Sequence, residues 1–331
     1  PAVVNMQFGI QESECFGLLG SNGAGKTTTI HILCGLHSPS TGTVICGDDG
    51  EFDIRSHVGK IQSSMGVCSQ DNLLWADLSG PEHLCFFGRL RRISRVMLKK
   101  HVTYWLRRVS LDSDVTRRKC TRAYSGGMKR RLSVANAFIG NPRLVYLDEP
   151  STGLDPESRR QLWYAVLAAK KNKSIVLTTH ALDEAEILCD RVGIMVKGMM
   201  RTVGTPAELR IRFDQGYKFL MAVKHGHEQA AEAFAKKLMP QLVLKDAING
   251  VRTYELPQEG SDVAKIFSQL EARKAELHID HWGLTHTSLE EVFLRLVAEA
   301  ATQLKQTAMM VPPQQPMHAA SSAVLPTVQD V

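Results

Sequence analysis

A glycine-rich run near the start of the chain contains the residue types that hold phosphate groups. It reads Gly20, Ser21, Asn22, Gly23, Ala24, Gly25, Lys26, Thr27 and Thr28. An apolar segment precedes the run and a helix-like segment follows it, so the order is strand, loop and helix. In such a loop, backbone N–H groups and the positive end of the helix attract phosphate oxygens. We therefore expect a nucleoside triphosphate here, with Lys26 on the outer phosphates and the Thr27 hydroxyl on Mg²⁺.

Two adjacent carboxylates, Asp148 and Glu149, follow the apolar residues 144–147. Parallel sheets place their ligands at the carboxyl ends of the strands, which is where this pair would lie. We expect Asp148 to face the Mg²⁺ and Glu149 to face a water that attacks the γ-phosphate. An acidic pair that only stabilises a helix N-terminus is the alternative, and the upstream phosphate loop disfavours it.

A serine followed by two glycines, Ser125, Gly126 and Gly127, stands just before a long helical pattern. The serine hydroxyl and the bare backbone N–H groups could hold a phosphate. On its own this tripeptide is more typical of a serine helix cap with a flexible turn. It becomes informative because the carboxylate pair follows it by one short helix and one strand.

The sequence patterns that predict the elements positioning these residues indicate two units and a tail. Up to residue 212, short apolar runs alternate with helical patterns, which predicts an α/β fold with a mainly parallel sheet and an inserted helical subdomain at about residues 78–138. Residues 213–302 read as βαββαβ, a small α+β domain of ferredoxin-like type, with a hairpin turn at Asn249 and Gly250 and a closing helix over 288–300. Residues 303–331 are rich in Pro, Gln, Ala and Ser, and we expect them to be disordered.

Taken in order, these motifs resemble the nucleotide-binding domain of ABC transporters, from Ala2 to about Arg212. The resemblance implies a P-loop NTPase fold with a RecA-like core, and ATP and Mg²⁺ as ligands. It makes the first run the Walker A loop, residues 124–128 the signature, Asp148 a Mg²⁺ ligand and Glu149 the catalytic carboxylate. It also makes residues 151–155 the D-loop and His180 the switch histidine. Gln70 becomes the Q-loop glutamine, which is expected to bind the metal, take part in catalysis and couple the domain to the membrane domain. Without the other motifs, a histidine after a strand would more often be a packing or capping residue than a functional one.

Finer details are similar to subfamily A of these transporters, a group associated with lipid and sterol movement. They lie in residues 68–75, 124–133 and 148–156, and in 283–294, which resemble the end of that subfamily's regulatory domain. The family usually has proline where Ser69 stands, which would alter the rigidity of the loop at Gln70. The aromatic residue that stacks on adenine should lie upstream of residue 1, because Phe8 reads as part of the strand that leads to the glycine loop.

The resemblance also implies partners. Two nucleotide-binding domains close around two Mg-ATP, so that Ser125, Gly126 and Gly127 serve the ATP of the other copy, and transmembrane domains receive the motion. The expected location is therefore the cytoplasmic face of a membrane. No apolar run approaches the roughly 18 residues of a membrane span, so a membrane role would need a partner or a segment that this sequence does not include. The chain reads as a fragment without a signal peptide, and its seven cysteines as reduced thiols.

Two other function classes stay open at this stage. The first is a soluble ABC-type ATPase acting on ribosomes or nucleic acid; the chain disfavours it because it has no long coiled-coil insertion, no zinc-type Cys pairing and no second Walker A loop. The second is a regulatory ATP-binding module, which would lack Glu149 or His180. The net charge of +6 is mild, and the basic residues in 89–100 and 117–119 fit a solvated face better than acidic lipid or nucleic acid. We therefore expect no nucleic-acid partner.

Overall fold

A six-stranded sheet is the centre of the first unit. The computed structural model describes residues 2–47, 50–213, 216–248, 250–257, 263–286 and 288–310. The strands of this unit are β1 (Cys15–Gly20), β2 (Ile45–Cys46), β3 (Phe52–Asp53), β4 (Met65–Cys68), β5 (Leu144–Asp148), β6 (Ser174–Thr179), β7 (Arg191–Val196) and β8 (Met199–Gly204). The order in the sheet is β4-β5-β6-β1-β7-β8, and only β8 runs antiparallel to its neighbour. The carboxyl ends of five strands therefore meet at one edge.

Helices cover both faces of this sheet. They are α1 (Lys26–Leu33), α2 (Ile54–Ser64), α3 (Gly80–Leu90), α4 (Arg95–Arg108), α5 (Asp114–Arg118), α6 (Gly126–Phe138), α7 (Pro156–Ala169), α8 (Leu182–Leu188) and α9 (Pro206–Arg212). Local signals start several of them: Ser79 and Glu82 form a capping box at α3, and Asp155 caps α7 just before Pro156. The helices α3 to α6 all lie between β4 and β5, where the sequence predicts a helical subdomain.

The central strand β1 is buried along its whole length, as expected when helices cover both faces of a parallel sheet. Phe16 and Leu18 pack in a core with residues of α1 and α2, whereas Cys15 and Leu19 belong to a larger core on the other face. The alternation follows from the pleat, which points successive side chains to opposite faces. Together the sheet and its helices confirm the predicted α/β P-loop architecture.

The second unit is a four-stranded antiparallel sheet with two helices. Its elements are β9 (Tyr217–Val223), α10 (Glu228–Leu238), β10 (Val243–Ile248), β11 (Val251–Leu256), α11 (Val263–Arg273) and β12 (Ile279–His286). The sheet order β10-β11-β9-β12 confirms the predicted ferredoxin-like βαββαβ fold. Ile248 pairs with Val251 across the hairpin, and Gly250 adopts a φ of +79° there, whereas Asn249 lies outside the described residues. The unit has a core of its own, which includes Phe219, Tyr254 and Leu270.

The last helix, α12 (Leu289–Met310), corrects the prediction that a helix over 288–300 closes the small domain. Its buried residues Leu289, Val292, Leu296 and Ala300 belong to the core of the first unit, and the helix contacts α9 and β7. The helical period identifies the apolar face correctly. The helical period predicts which face of α12 is buried, but it does not indicate which element that face packs against.

The end of α12 also corrects part of the predicted disorder. The helix continues through residues 303–310, which the sequence predicts to belong to a disordered tail. Alanine, leucine, lysine, glutamine and methionine dominate this stretch, and all are good helix formers. The rest of the tail, 311–331, lies outside the described residues, so its predicted disorder stays a prediction. In the part of the chain that the structure describes, no helix combines the length and the apolarity that crossing a membrane requires.

Candidate active site

The glycine loop between β1 and α1 adopts backbone conformations that need glycine. Gly23 has a φ of +78° and Gly25 a φ of +99°. A side chain at Gly25 would place its Cβ 2.8 Å from the carbonyl oxygen of Ala2. Both positions therefore disfavour ordinary side chains, Gly23 because of backbone strain and Gly25 also for lack of space. The strand, loop and helix predicted from the sequence are all present at this point.

Lys26, the first residue of α1, is folded back over the loop. Its Nζ donates hydrogen bonds to the carbonyl oxygens of Gly20 at 2.8 Å and Ser21 at 3.2 Å. The side chain is only 5% exposed, so the ammonium group lies in a pocket walled by backbone. A cation held in this way is preorganised for phosphate oxygens.

Glu149 joins the glycine loop to His180. Its Oε1 lies 3.1 Å from Lys26 Nζ, and its Oε2 lies 3.3 Å from His180 Nδ1. Burial raises the pKa of Glu149, but the hydrogen bond and charge of Lys26, the charge of His180 and the Thr152 hydroxyl outweigh burial, so the pKa lies below its usual value. The carboxylate is therefore ionised at neutral pH and able to accept a proton.

The backbone of Glu149 is strained and firmly held. Its φ is +47°, in the left-handed region that residues with a side chain rarely adopt. Its N–H points at both the carbonyl oxygen of Thr178, at 3.1 Å, and the Thr178 hydroxyl, at 2.9 Å. Such a conformation persists where neighbours over-determine it, and it is concentrated at functional sites.

Asp148 lies beside this cluster at the carboxyl end of β5. It is 2% exposed, and its Oδ1 accepts a hydrogen bond from the Thr178 hydroxyl. The predicted metal residues Thr27, Gln70 and Asp148 have hydroxyl, amide and carboxylate oxygens, which are the ligand types that Mg²⁺ prefers. The predicted metal residues therefore fit the ion chemically. In the described ranges there is no group of three or more His, Cys, Asp and Glu residues that could hold a metal ion.

Thr178 is the site residue that sequence reasoning missed. It is fully buried in β6 and orients both carboxylate residues, Asp148 through its hydroxyl and Glu149 through its backbone. The apolar pattern of β6 predicts a buried strand and assigns it no role in the site. Two threonines at the buried carboxyl end of β6, Thr178 and Thr179, are the signal that could have revealed it, because buried hydroxyl groups need partners.

The predicted phosphate-binding tripeptide lies at the start of α6. The Ser125 hydroxyl caps this helix by accepting a hydrogen bond from the Met128 N–H at 3.2 Å. Ser125 and Gly126 are exposed in this first turn, whereas Gly127 and Lys129 are half-buried. The structure therefore brings Lys26, Glu149 and His180 into one cluster, whereas the tripeptide makes none of the hydrogen bonds of that cluster.

Phe8 corrects another prediction, because it does not belong to the strand before the glycine loop. That strand, β1, begins at Cys15, and a turn with Ser13 at a φ of +62° separates it from Phe8. The Phe8 ring instead stacks on Phe16, with ring centroids 5.0 Å apart. In the sequence, an apolar residue close to a strand cannot be distinguished from a residue of the strand. In the structure, Phe8 lies outside β1 and packs against one of its side chains.

The fold and the site together define a P-loop ATPase. Residues 3–152 match the family model described as ABC transporter, and residues 214–286 match that of the ABCA1-like C-terminal R1 regulatory domain. The chain is 43% identical to ABC transporter A family member 7 of Arabidopsis thaliana over 296 residues, which is 89% of this chain and 31% of the relative. It is 44% identical to A family member 12 of the same plant over 299 residues, 90% of this chain and 32% of the relative.

The chain thus belongs to the A family of ABC transporters and contains its ATP-binding domain and R1 domain. It spans about a third of the length of these curated relatives. A solved ATP-binding subunit of an ABC transporter superposes with a TM-score of 0.58 at 28% identity, covering 64% of this chain and 87% of that one. An ATP-binding cassette solved as a dimer bound to ADP and Pi shares the fold, with a TM-score of 0.55 at 22% identity over 62% of this chain and 90% of the other.

Proposed function

We propose that this chain binds Mg-ATP, pairs with a second nucleotide-binding domain, and hydrolyses ATP to drive transport by membrane-spanning segments. The observation that carries the proposal is the cluster of Lys26, Glu149 and His180 beside the glycine loop. A buried lysine, an ionised carboxylate and a half-exposed histidine at the carboxyl edge of a parallel sheet suit phosphoryl transfer to water.

Each residue of the cluster has a separate task in this proposal. Lys26 binds the outer phosphate oxygens, and Glu149 accepts the proton of the attacking water. The new P–O bond forms as the bond from the γ-phosphorus to the bridging oxygen breaks, and ADP leaves with that electron pair. His180, 51% exposed, is accessible to the γ-phosphate and to a partner surface. Thr27, Asp148 and Gln70 would hold Mg²⁺, which supplies charge neutralisation on the phosphates when bound.

The start of α6 supports the pairing. Ser125, Gly126 and Gly127 form a helix N-terminus that makes no hydrogen bond to the chain's own glycine loop, and such a terminus attracts anions. The ATP held on the second domain is the ligand that we propose for it. The similar cassette solved as a dimer with ADP and Pi supports this arrangement. ATP then does mechanical work because it binds the closed pair more tightly than the open one.

Membership of the A family supports lipid as the transported cargo and the cytoplasmic face of a membrane as the location. The R1 match extends the similarity to this family beyond the ATPase domain itself. In the full-length transporter, we expect phospholipid vesicles to stimulate ATP hydrolysis above the rate in detergent alone. Equal rates in the two conditions would count against lipid.

The hydrolytic proposal is tested by Glu149→Gln. This change keeps the size of the side chain and removes the proton acceptor, so turnover should fall at least about a hundredfold. Phosphate release is measured with Mg-ATP, with the ATP-binding curve recorded in parallel to show that the site remains loaded. Turnover at the wild-type rate would refute the role of Glu149.

A further inference from the structure

Arg130, in the second turn of α6, is a buried cation whose donors are all bonded to backbone. It is 2% exposed, and its Nε, Nη1 and Nη2 atoms donate across distances between 2.5 and 3.0 Å. A guanidinium group has five N–H donors, and five carbonyl oxygens accept them here. The acceptors are the carbonyl oxygens of Ser69, Gln70, Asp148, Glu149 and Pro150.

Burying the Arg130 guanidinium costs free energy unless all of its hydrogen bonds are formed. A buried charge loses its hydration, and only complete hydrogen bonding offsets that loss. The buried carbonyl groups of Asp148, Glu149 and Pro150 depend on Arg130 in turn, because a buried acceptor that loses its donor bears the desolvation cost alone. The guanidinium and the five carbonyl groups therefore form one unit that resists partial displacement.

The five carbonyl groups belong to two segments that carry the proposed reaction. Residues 69–70 follow β4, and residues 148–150 end and follow β5, its neighbour in the sheet. Gln70 and Glu149 stand on these two segments. Arg130 also bonds the carbonyl of the residue with the strained φ of +47°, while Thr178 bonds its N–H. One side chain thus fixes the main chain on which both reactive side chains depend.

We propose that Arg130 is a positioning residue for ATP hydrolysis, which fixes Gln70 and Glu149 relative to the helix that begins at Gly126. This inference rests on the proposed function of those residues. When Ser125 engages the ATP of a partner domain, a displacement of α6 moves the backbone of both segments through Arg130. Closure of the pair and alignment of Glu149 are then one event.

The test is Arg130→Lys in the full 331-residue chain. Lysine keeps the charge but has three donors on a single nitrogen, so it cannot bond both segments in the same way. Lys26 keeps its hydrogen bonds to the carbonyl oxygens of Gly20 and Ser21 in this variant, so we expect the dissociation constant of a fluorescent ATP analogue and the KM for Mg-ATP to change by no more than about threefold. The kcat should fall about tenfold or more, because misplacement of reacting groups by ~1 Å costs up to ~100-fold.

Arg131→Lys is the matched control. Arg131 is the next residue of α6, and its guanidinium donates to the carbonyl of Val109 at 3.0 Å and to Gln161 at 2.8 Å, with a longer bond of 3.4 Å to the Gly127 carbonyl within the helix and none to the two segments. Its kcat should stay within about twofold of wild type. An unchanged kcat in folded Arg130→Lys, or an equal loss in both variants, overturns the inference. Normal turnover in Glu149→Gln would instead overturn the proposed function, so the two failures are distinguishable.

A measurement on the unmodified chain covers the case in which Arg130→Lys does not fold. Amide hydrogen exchange is followed in peptides covering residues 66–72, 126–132 and 146–152 as urea is raised through concentrations below the midpoint of global unfolding. If Arg130 joins the segments, the three peptides open together and lose protection at a common urea concentration. Loss of protection in one peptide while the other two stay protected overturns the inference.

Discussion

The pair between Lys26 and Glu149 predicts that Glu149→Gln binds ATP more tightly than wild type. The two groups lie 3.1 Å apart, and their side chains are 5% and 7% exposed. At this distance, an effective dielectric constant of about 20 gives an attraction of ~5 kcal/mol. Incoming phosphate must compete with the Glu149 carboxylate for the ammonium group, and it meets a like charge as it does so.

Most of this attraction is offset by the hydration that both groups lose on burial, so the net barrier to ATP is smaller than the Coulomb figure. We expect Glu149→Gln to remove about 1–2 kcal/mol of competition, which corresponds to about five- to thirtyfold tighter binding. Lys26 keeps its hydrogen bonds to the carbonyl oxygens of Gly20 and Ser21 in the variant, so its position is retained.

The assay is an equilibrium titration with a fluorescent ATP analogue in the presence of Mg²⁺. Glu157→Gln serves as the control, because it removes one negative charge from an exposed position at the start of α7 without touching Lys26. Its affinity should match wild type. Weaker or unchanged binding by Glu149→Gln, or an equal gain in the control, would refute the competition argument.

Three further changes test the loop, the last helix and a buried acid. Lys26→Ala should weaken ATP binding by at least about tenfold in the same titration, because a charge-assisted phosphate contact contributes about 1.5–3 kcal/mol; unchanged affinity would reject the loop as the site. Leu296→Ala should lower the free energy of unfolding by about 2–3 kcal/mol in urea titrations, whereas Leu294→Ala, at a position 57% exposed, should have little effect. Burial raises the pKa of Glu184, so its stabilising contribution is present at low pH and is lost as pH rises through the folded-state pKa. Glu184→Gln should therefore raise the melting temperature at pH 8 more than at pH 5, and an equal shift at both would contradict this.

Features that contiguous residues determine are the ones that the sequence predicts best. The strand, glycine loop and helix around Lys26 are neighbours in the chain, and the spacing of their residue types predicts both structure and chemistry. Glu149 is likewise predictable, because a carboxylate at the carboxyl end of a buried parallel strand lies where such sheets bind their ligands. The order of the two motifs implies that Glu149 lies near Lys26, and the structure gives the distance between Glu149 Oε1 and Lys26 Nζ as 3.1 Å.

Features that depend on contacts between distant residues escape prediction. Arg130 lies two residues after the segment that resembles the signature, but its acceptors are backbone carbonyls about 20 and 60 positions away, which carry no side-chain signal. The apolar face of α12 is visible in the sequence, whereas its docking partner is not. Phe8 reads as strand because propensity does not show the turn at Ser13 that interrupts the chain.

The docking of α12 has a practical consequence for any truncated version of this protein. The small antiparallel unit leaves the ATPase unit after α9 and returns to it through α12, and those two helices touch. The small unit is therefore connected to the ATPase unit at both of its ends. A chain cut after β12 would lose the second of these connections. It would also expose the apolar surface of the ATPase unit that Leu289 and Val292 cover, and this exposure would promote aggregation of an otherwise intact ATPase.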